Sequence, residues 1–462
     1  MRHRPPHSPR AAAIATLTSF WQKPAPIRDF SSADLTAADR RLAMNIVYGV
    51  LRQRQYIEAL IGRLCRHPWP KLDVTLREAL AVGLYQLLFL ERIPEAAAVN
   101  ETVAAAKQLG LPPHLVGVLN GSLRGAIRQR DKLPAADNFL NHPKWLTERW
   151  RTRFGEEEMR RICAAGNVQP MLALRVNTRR CTPERLCALL TEAGITARTG
   201  HYAADALLLP DYQGAISGLP GFAEGLFHIQ DEAAQLACAL LGEGEENLDI
   251  LDACAGLGGK TATIAQLFPH GRIQAVEPDS RRRELFAANQ GRLGFTATLF
   301  AGRLGDYAAA SPTLFDRIFL DAPCSGTGVC RRHPEIRWSR RAEELPGYQA
   351  EQLALLAQAQ ALLKPGGLLV YATCSLEEEE NTAVIDTFLA QQPDMMLEDC
   401  RHYLPETANS LLMDGFFQPR PSQRLDGFFA ANIRRQKTDD REKLGATRWE
   451  RRFVWLLSQL GQ

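Results

Sequence analysis

The sequence predicts a multidomain protein: an all-α amino-terminal bundle, a small α+β region, and an α/β domain built on a parallel doubly wound sheet. Three observations carry that expectation. From Ala11 to about Arg130 apolar residues recur at helical spacing, without alternating strands between them. From Leu248 onward strands and helices alternate, and the chemically promising residues fall at the carboxyl ends of the strands. At 462 residues the chain is longer than one typical core encloses. The expected divisions are a helical domain 1–130, a linker 131–143, an α+β region 144–246, an α/β domain 247–435 and a basic extension 436–462.

Composition narrows the class. The chain is 45% hydrophobic and 23% charged, with no uninterrupted apolar run of membrane-spanning length, so no membrane association is expected. Its start, MRHRPPHSPR, reads as a basic tail and lacks the apolar core of a signal peptide. The ten cysteines are scattered without a C-x-x-C pair, which argues against a metal site and against a disulfide framework. Free thiols point to a reducing cytoplasm. The net charge of +3 divides unevenly, +9 in residues 1–130 and −6 in the rest. A basic module beside an acidic one suggests a polyanion-gripping domain attached to a catalytic one.

In the first region Ala43, Ile46, Val47, Val50 and Leu51 mark one helical face, interleaved with Arg40, Arg41, Arg52 and Arg54. Further helices are expected at Leu76–Leu90, Ala96–Leu109 and Leu115–Arg128. The arginines either line a solvated face or contact nucleic acid; their excess over acids favours the latter, with Arg40 and Arg41 as candidates. The polar stretch DKLPAADNFLNHP, with two prolines, reads as the linker. Beyond it come a helix with Trp145, Leu146, Trp150 and Phe154, strands at Leu172–Val176 and Ala206–Leu209, and a helix at Cys181–Ala193 between them. Asp231 stands where a helix cap would, ahead of Ala233, Leu236 and Leu240.

The stretch NLDILDACAGLGGK, Asn247–Lys260, is a strand, a glycine-rich turn and a helix start. A phosphate loop would need glycine at Cys254, and a dinucleotide fingerprint would need glycine or alanine at Thr261. S-adenosylmethionine is the ligand class that remains, beside the alternative of an ordinary turn. It asks for a permissive turn, here Cys254, Ala255, Gly256, Leu257, Gly258, Gly259 and Lys260, and for an acid after the next strand to hold the ribose. Arg272–Val276 is that strand and Glu277 follows it. Later strands at Phe315–Leu320 and Leu368–Tyr371 end in DAPCSGTG and ATCS, and a final alternating strand is GFFAANI, Gly427–Ile433.

Two cysteines, Cys324 and Cys374, thus sit at the ligand edge of one sheet. A thiolate is a strong nucleophile and a fair leaving group, which suits methylation of a pyrimidine carbon. Addition to C6 of cytosine would make C5 nucleophilic, and an acid such as Asp321 near N3 would hydrogen-bond the ring as charge builds.

The motifs DACAGLGGK, FLDAPCSGTGVCRRHPEIRW and KPGGLLVYATCSLEEEEN closely resemble those of the RNA cytosine-5 methyltransferases of the Nol/Nop/Sun family. The helical region resembles the NusB-like RNA-binding fold. Together with HIQDEAAQ and DGFFAANI they resemble the Fmu/Sun (RsmB) type of 16S rRNA methyltransferase, over about residues 10–435. The resemblance implies a Rossmann-like domain and S-adenosylmethionine-dependent methylation of cytosine C5 in unassembled or partly assembled 16S rRNA, by a monomer. It implies Cys374 as nucleophile, Cys324 as the residue serving release, Asp321 at the base and the inner edge of the cofactor site, and Arg331 and Arg332 beside Arg40 and Arg41 as RNA contacts.

Two departures stand out. The family's turn is commonly C-A-A-P-G-G-K, where this chain has Gly256-Leu257 in place of alanine-proline. Where the family has an acid after the glycine following strand three, Arg303 follows Gly302 and the next acid is Asp306, so both are candidates at the adenine. The competing expectation is a catalytically idle RNA-binding or assembly factor on the same folds, against which the intact Asp321, Cys324 and Cys374 argue.

Overall fold

The structure, a computed structural model, describes residues 7–25, 27, 35–65, 69–244, 246–310, 313–422 and 424–437. The basic extension expected at 436–462 lies, beyond residue 437, outside the described residues. The chain separates into two compact units: residues 1–170 with 329–342 and 421–423, and residues 171–328 with 343–420 and 424–462.

The first unit is helical. Its helices are α1 (Pro9–Gln22), α2 (Ala37–Arg52), α3 (Arg54–Leu64), α4 (Val74–Phe89), α5 (Glu95–Gln108), α6 (Pro113–Arg128), α7 (Lys144–Phe154) and α8 (Glu156–Asn167). The five apolar residues that mark one face of α2 are all fully buried, as the 3.6-residue period requires. Thr36 caps α2 by accepting from Asp39 N, and Asp73 caps α4 by accepting from Leu76 N.

The stretch 131–143 differs from the expected linker. Asn141 and His142 are buried; the Asn141 side chain accepts from Tyr56 N at 3.1 Å, and Gln55 Nε2 donates to the His142 carbonyl at 2.7 Å. Two prolines and polar residues look loose in sequence, but backbone and amide partners supplied by α3 hold them. The helices α7 and α8, read with the α+β region, also belong to this unit.

The second unit opens with β1 (Leu172–Val176), α9 (Pro183–Glu192), β2 (Arg198–Thr199), β3 (Ala206–Leu209), β4 (Phe227–Ile229) and α10 (Glu232–Ala239). These strands form an antiparallel sheet in the order β2-β3-β1-β4. Asp231 caps α10 by accepting from Ala233 N at 3.0 Å. The chain continues through β5 (Asp249–Asp252), α11 (Gly259–Leu267), β6 (Arg272–Val276), α12 (Ser280–Leu293), β7 (Thr298–Phe300), α13 (Leu304–Ala310) and β8 (Phe315–Asp321). It then enters the first unit, where α14 (Ile336–Ser339) lies, and returns with α15 (Leu345–Ala361), β9 (Leu363–Thr373), α16 (Thr382–Gln391), β10 (Met395–Glu398), β11 (Leu412–Met413), β12 (Phe416–Phe417) and β13 (Phe429–Arg435).

The large sheet runs β11-β12-β13-β9-β8-β5-β6-β7, with β10 beside β13. Strands β5 to β9 pair in parallel, while β13 pairs antiparallel with β9, so the sheet is mixed and not purely parallel. The strand expected from Leu368 begins earlier, so that Lys364-Pro365-Gly366-Gly367 lies in the first half of β9. Gly366 stands at φ +79° there, and the register with β8 shifts between Phe315 and Arg317. Strand order reverses between β5 and β8, which makes their carboxyl ends the switch point where α/β sheets bind ligands.

Candidate active site

The turn after β5 is built from two left-handed glycines that do different work. Gly258, at φ +82°, precedes α11, and a Cβ there would come within 2.8 Å of the Phe286 ring. Gly256, at φ +57°, has nothing within 4 Å of where a Cβ would lie. The first glycine closes the turn onto α12; the second leaves an open backbone face. A cavity of about 240 Å³ lies there, lined by Cys254, Ala255, Gly256, Leu257, Gly259 and Lys260 from the turn, with Ile229, Gln230 and Asp321. That open face suits a ligand approaching the backbone closely, as S-adenosylmethionine would.

Of the other expected cofactor residues, Gly258 does not line the cavity. Glu277 is buried, and its Oε1 accepts from Asp279 N at 2.8 Å. Arg303 is exposed and Asp306 Oδ2 accepts from Arg303 N at 3.2 Å, so Asp306 is turned back onto the start of α13. Neither Glu277 nor Arg303 lines the cavity. Sequence reasoning overlooked Asp252, the acid that ends β5. It is buried, accepts from Thr261 Oγ1 at 2.6 Å, and burial pushes its carboxyl up to about 6. Its place immediately before the glycine turn was the available signal.

Lys260 reaches across to Asp321, with Nζ 2.7 Å from Oδ2. Burial works to lower the lysine's pKa, but the Asp321 charge and hydrogen bond, helped by the Cys238 and Cys374 thiols, raise it on balance. The ammonium therefore stays charged at the inner wall of the cavity. Burial, reinforced by Asp252 and Asp321, pushes the Cys254 thiol up, so it remains a protonated, unreactive lining residue.

The two strand-end cysteines meet. Cys324 Sγ, following β8, lies 3.3 Å from Cys374 Sγ, following β9. The hydrogen bond with Cys374 and burial push the Cys324 thiol well up, so Cys324 keeps its proton. Each cysteine loop is anchored on the other: Gly328 N donates to the Cys374 carbonyl at 2.9 Å, and Leu376 N donates to Thr327 Oγ1 at 2.9 Å. All ten cysteines are free thiols, and no metal-binding cluster occurs among the described residues. Among those residues, too, no helix is long and apolar enough to cross a membrane.

In the helical unit Arg40 and Arg41 are exposed on α2. Arg331 corrects an expectation: it is 2% exposed, its guanidinium donates to the Ser422 carbonyl at 2.9 Å, and its own carbonyl accepts from Arg52 Nε at 2.8 Å. A buried guanidinium spent on a backbone carbonyl is not offered to a phosphate. Arg332 beside it is half-buried.

Three family models match the chain: NusB over residues 7–128, a ferredoxin-like domain of the RsmF/B methyltransferases over 142–214, and 16S rRNA methyltransferase RsmB/F over 238–434. Ribosomal RNA small subunit methyltransferase B of Pseudomonas putida is 38% identical over 398 residues, covering 84% of this chain and 90% of the relative. The chain belongs to the RsmB family of small-subunit rRNA methyltransferases. The Escherichia coli member of the family is 38% identical over 401 residues, covering 86% and 90% of the two chains. Among solved structures, PH0851 superposes with a TM-score of 0.71 at 24% identity over 93% of this chain and 97% of that one. A methyltransferase homologue from Pyrococcus horikoshii gives a TM-score of 0.54 at 29% identity, over 64% of this chain and 96% of that one.

Proposed function

We propose that the protein methylates C5 of a cytosine in 16S rRNA, with S-adenosylmethionine as methyl donor, through a covalent bond between Cys374 and C6 of the base. The observation that carries this reading is the pair of sulfurs 3.3 Å apart, beside the Lys260–Asp321 pair. Membership of a methyltransferase family supports the donor, and the open face at Gly256 suits it. S-adenosylmethionine supplies an electrophilic methyl group; Cys254–Lys260 and Glu277 would hold it.

Cytosine C5 is a poor nucleophile. When the Cys374 thiolate adds to C6, electron density moves to C5, which then takes the methyl group. A base then takes the C5 proton; the C5–H electron pair re-forms the C5–C6 double bond, and the C6–sulfur pair leaves with Cys374 as the thiolate. Asp321 hydrogen-bonds the N3 side of the ring, and the Lys260 ammonium stabilises charge as it builds there. Cys324, protonated beside the nucleophile, serves the release step through the base that takes the C5 proton. The target base must leave its stack to reach both thiols, which favours a single-stranded segment of unassembled or partly assembled rRNA. Arg40 and Arg41 are the surface groups we assign to its phosphates.

Bisulfite sequencing of 16S rRNA from cells with and without the protein tests this reading. The expected result is one cytosine whose resistance to bisulfite disappears with the protein. Identical resistance in both strains would contradict it.

A further inference from the structure

Glu380 does not line the cavity, yet both cysteine loops converge on it. It is fully buried. Its Oε1 accepts from Ser325 N at 2.7 Å and from Gln352 Nε2 at 3.2 Å. Its Oε2 accepts from Ser325 Oγ and from Ser375 Oγ, each at 2.5 Å. Ser325 directly follows Cys324, and Ser375 directly follows Cys374. Gln352 also donates to the carbonyl of Pro323, the residue before Cys324, at 2.9 Å. The Tyr371 hydroxyl, from β9 itself, donates to the Glu380 carbonyl at 2.6 Å.

Burying a carboxylate is costly, and here the four donors to it are neutral groups. A brace between two loops would not need a charge. What the carboxylate adds is four acceptor sites that converge from one rigid group, with one oxygen shared by the two serine hydroxyls. Each loop is thereby fixed at the residue next to its sulfur. Any rotation of one loop against the other must break a charge-assisted hydrogen bond inside the protein.

We propose that Glu380 is a positioning residue that sets the distance between the Cys324 and Cys374 sulfurs, so that the attacking thiol and the releasing thiol serve one base in succession. The inference rests on the two-cysteine mechanism proposed above, and its test has a readout that does not.

Cross-linking of Cys324 to Cys374 by diamide measures the sulfur spacing without any catalysis. The two thiols give two electrons and two protons to the azo bond, which becomes a hydrazine, and one disulfide forms. Peptide mapping by mass spectrometry picks out this pair from the ten cysteines. Glu380→Ala should slow the cross-link about tenfold and lower kcat about 100-fold, with KM for RNA held within about twofold. Glu380→Gln keeps an acceptor for Ser325 N and lets the hydroxyls turn to accept from its amide, so it should restore most of both. Ser325→Ala and Ser375→Ala, each removing one hydroxyl, should fall between.

An unchanged cross-linking rate in Glu380→Ala overturns the proposal, as does a slowed cross-link with unaltered kcat. Should Glu380→Ala fail to fold, unchanged cross-linking in both serine variants overturns it. A failure of the covalent mechanism itself would show elsewhere, as the absence of any RNA adduct in Cys324→Ala, with the cross-linking result intact.

Discussion

The turn after β5 and the loops after β8 and β9 end strands of the same sheet, yet they are built on opposite principles. The turn is open: Gly256 presents bare backbone to a cavity, with no atom within 4 Å of where its Cβ would lie. The cysteine loops are closed: Ser325, Ser375, Thr327 and Glu380 are buried and tie one loop to the other. Openness suits a region that must admit and release a molecule on each cycle. Closure suits a region that must hold two atoms at a fixed separation while bonds form and break. The Lys260–Asp321 pair bridges the two, since Lys260 comes from the turn's helix and Asp321 from the end of β8.

Breaking the turn separates its two glycines and its acid. Gly258→Ala places a Cβ against Phe286 in a left-handed residue, so stability should fall by about 2–4 kcal/mol, read by denaturant unfolding. Gly256→Ala meets no neighbour and should cost only about 1–2 kcal/mol of stability, while the new methyl group intrudes on the open face and lowers cofactor affinity. Equal loss of stability in the two variants would mean that the open face at Gly256 is not free.

Glu277→Ala acts on the same side. If this acid takes the ribose hydroxyls, losing its charge-assisted hydrogen bonds should weaken S-adenosylmethionine binding by about 1.5–3 kcal/mol by calorimetry. Unchanged affinity would remove Glu277 from the site and leave it to hold Asp279 N and pair with Arg282.

The contrast also explains what could be read in advance. A glycine turn between a strand and a helix is local, and so was legible: β6 runs from Arg272 to Val276 as the pattern predicts. The placement of both cysteines at strand ends followed from apolar runs that stop at them. The closed region was not legible, because its ties join residues far apart in sequence. Ser325 and Glu380 are 55 positions apart. Glu380 is the last of four consecutive glutamates, and nothing local distinguishes it from Glu378, which is exposed. The short turn Glu378–Glu380 leaves Glu378 exposed and Glu380 buried. Arg331 failed for the same reason, since the Ser422 carbonyl that takes its guanidinium is 91 residues away. Lys260, read as part of the cofactor turn, lines the cavity, but its partner Asp321 could be found only once the sheet was assembled.

The central claim is that the two sulfurs act in order, Cys374 to attack and Cys324 to release. A denaturing gel of each single variant incubated with the rRNA segment and S-adenosylmethionine tests it directly. Cys374→Ala should form no slow-migrating complex, because no bond to C6 is made. Cys324→Ala should attack and methylate but stall, leaving RNA attached through Cys374. A complex with Cys374→Ala and none with Cys324→Ala would reverse the roles, and no complex with either would contradict the covalent account.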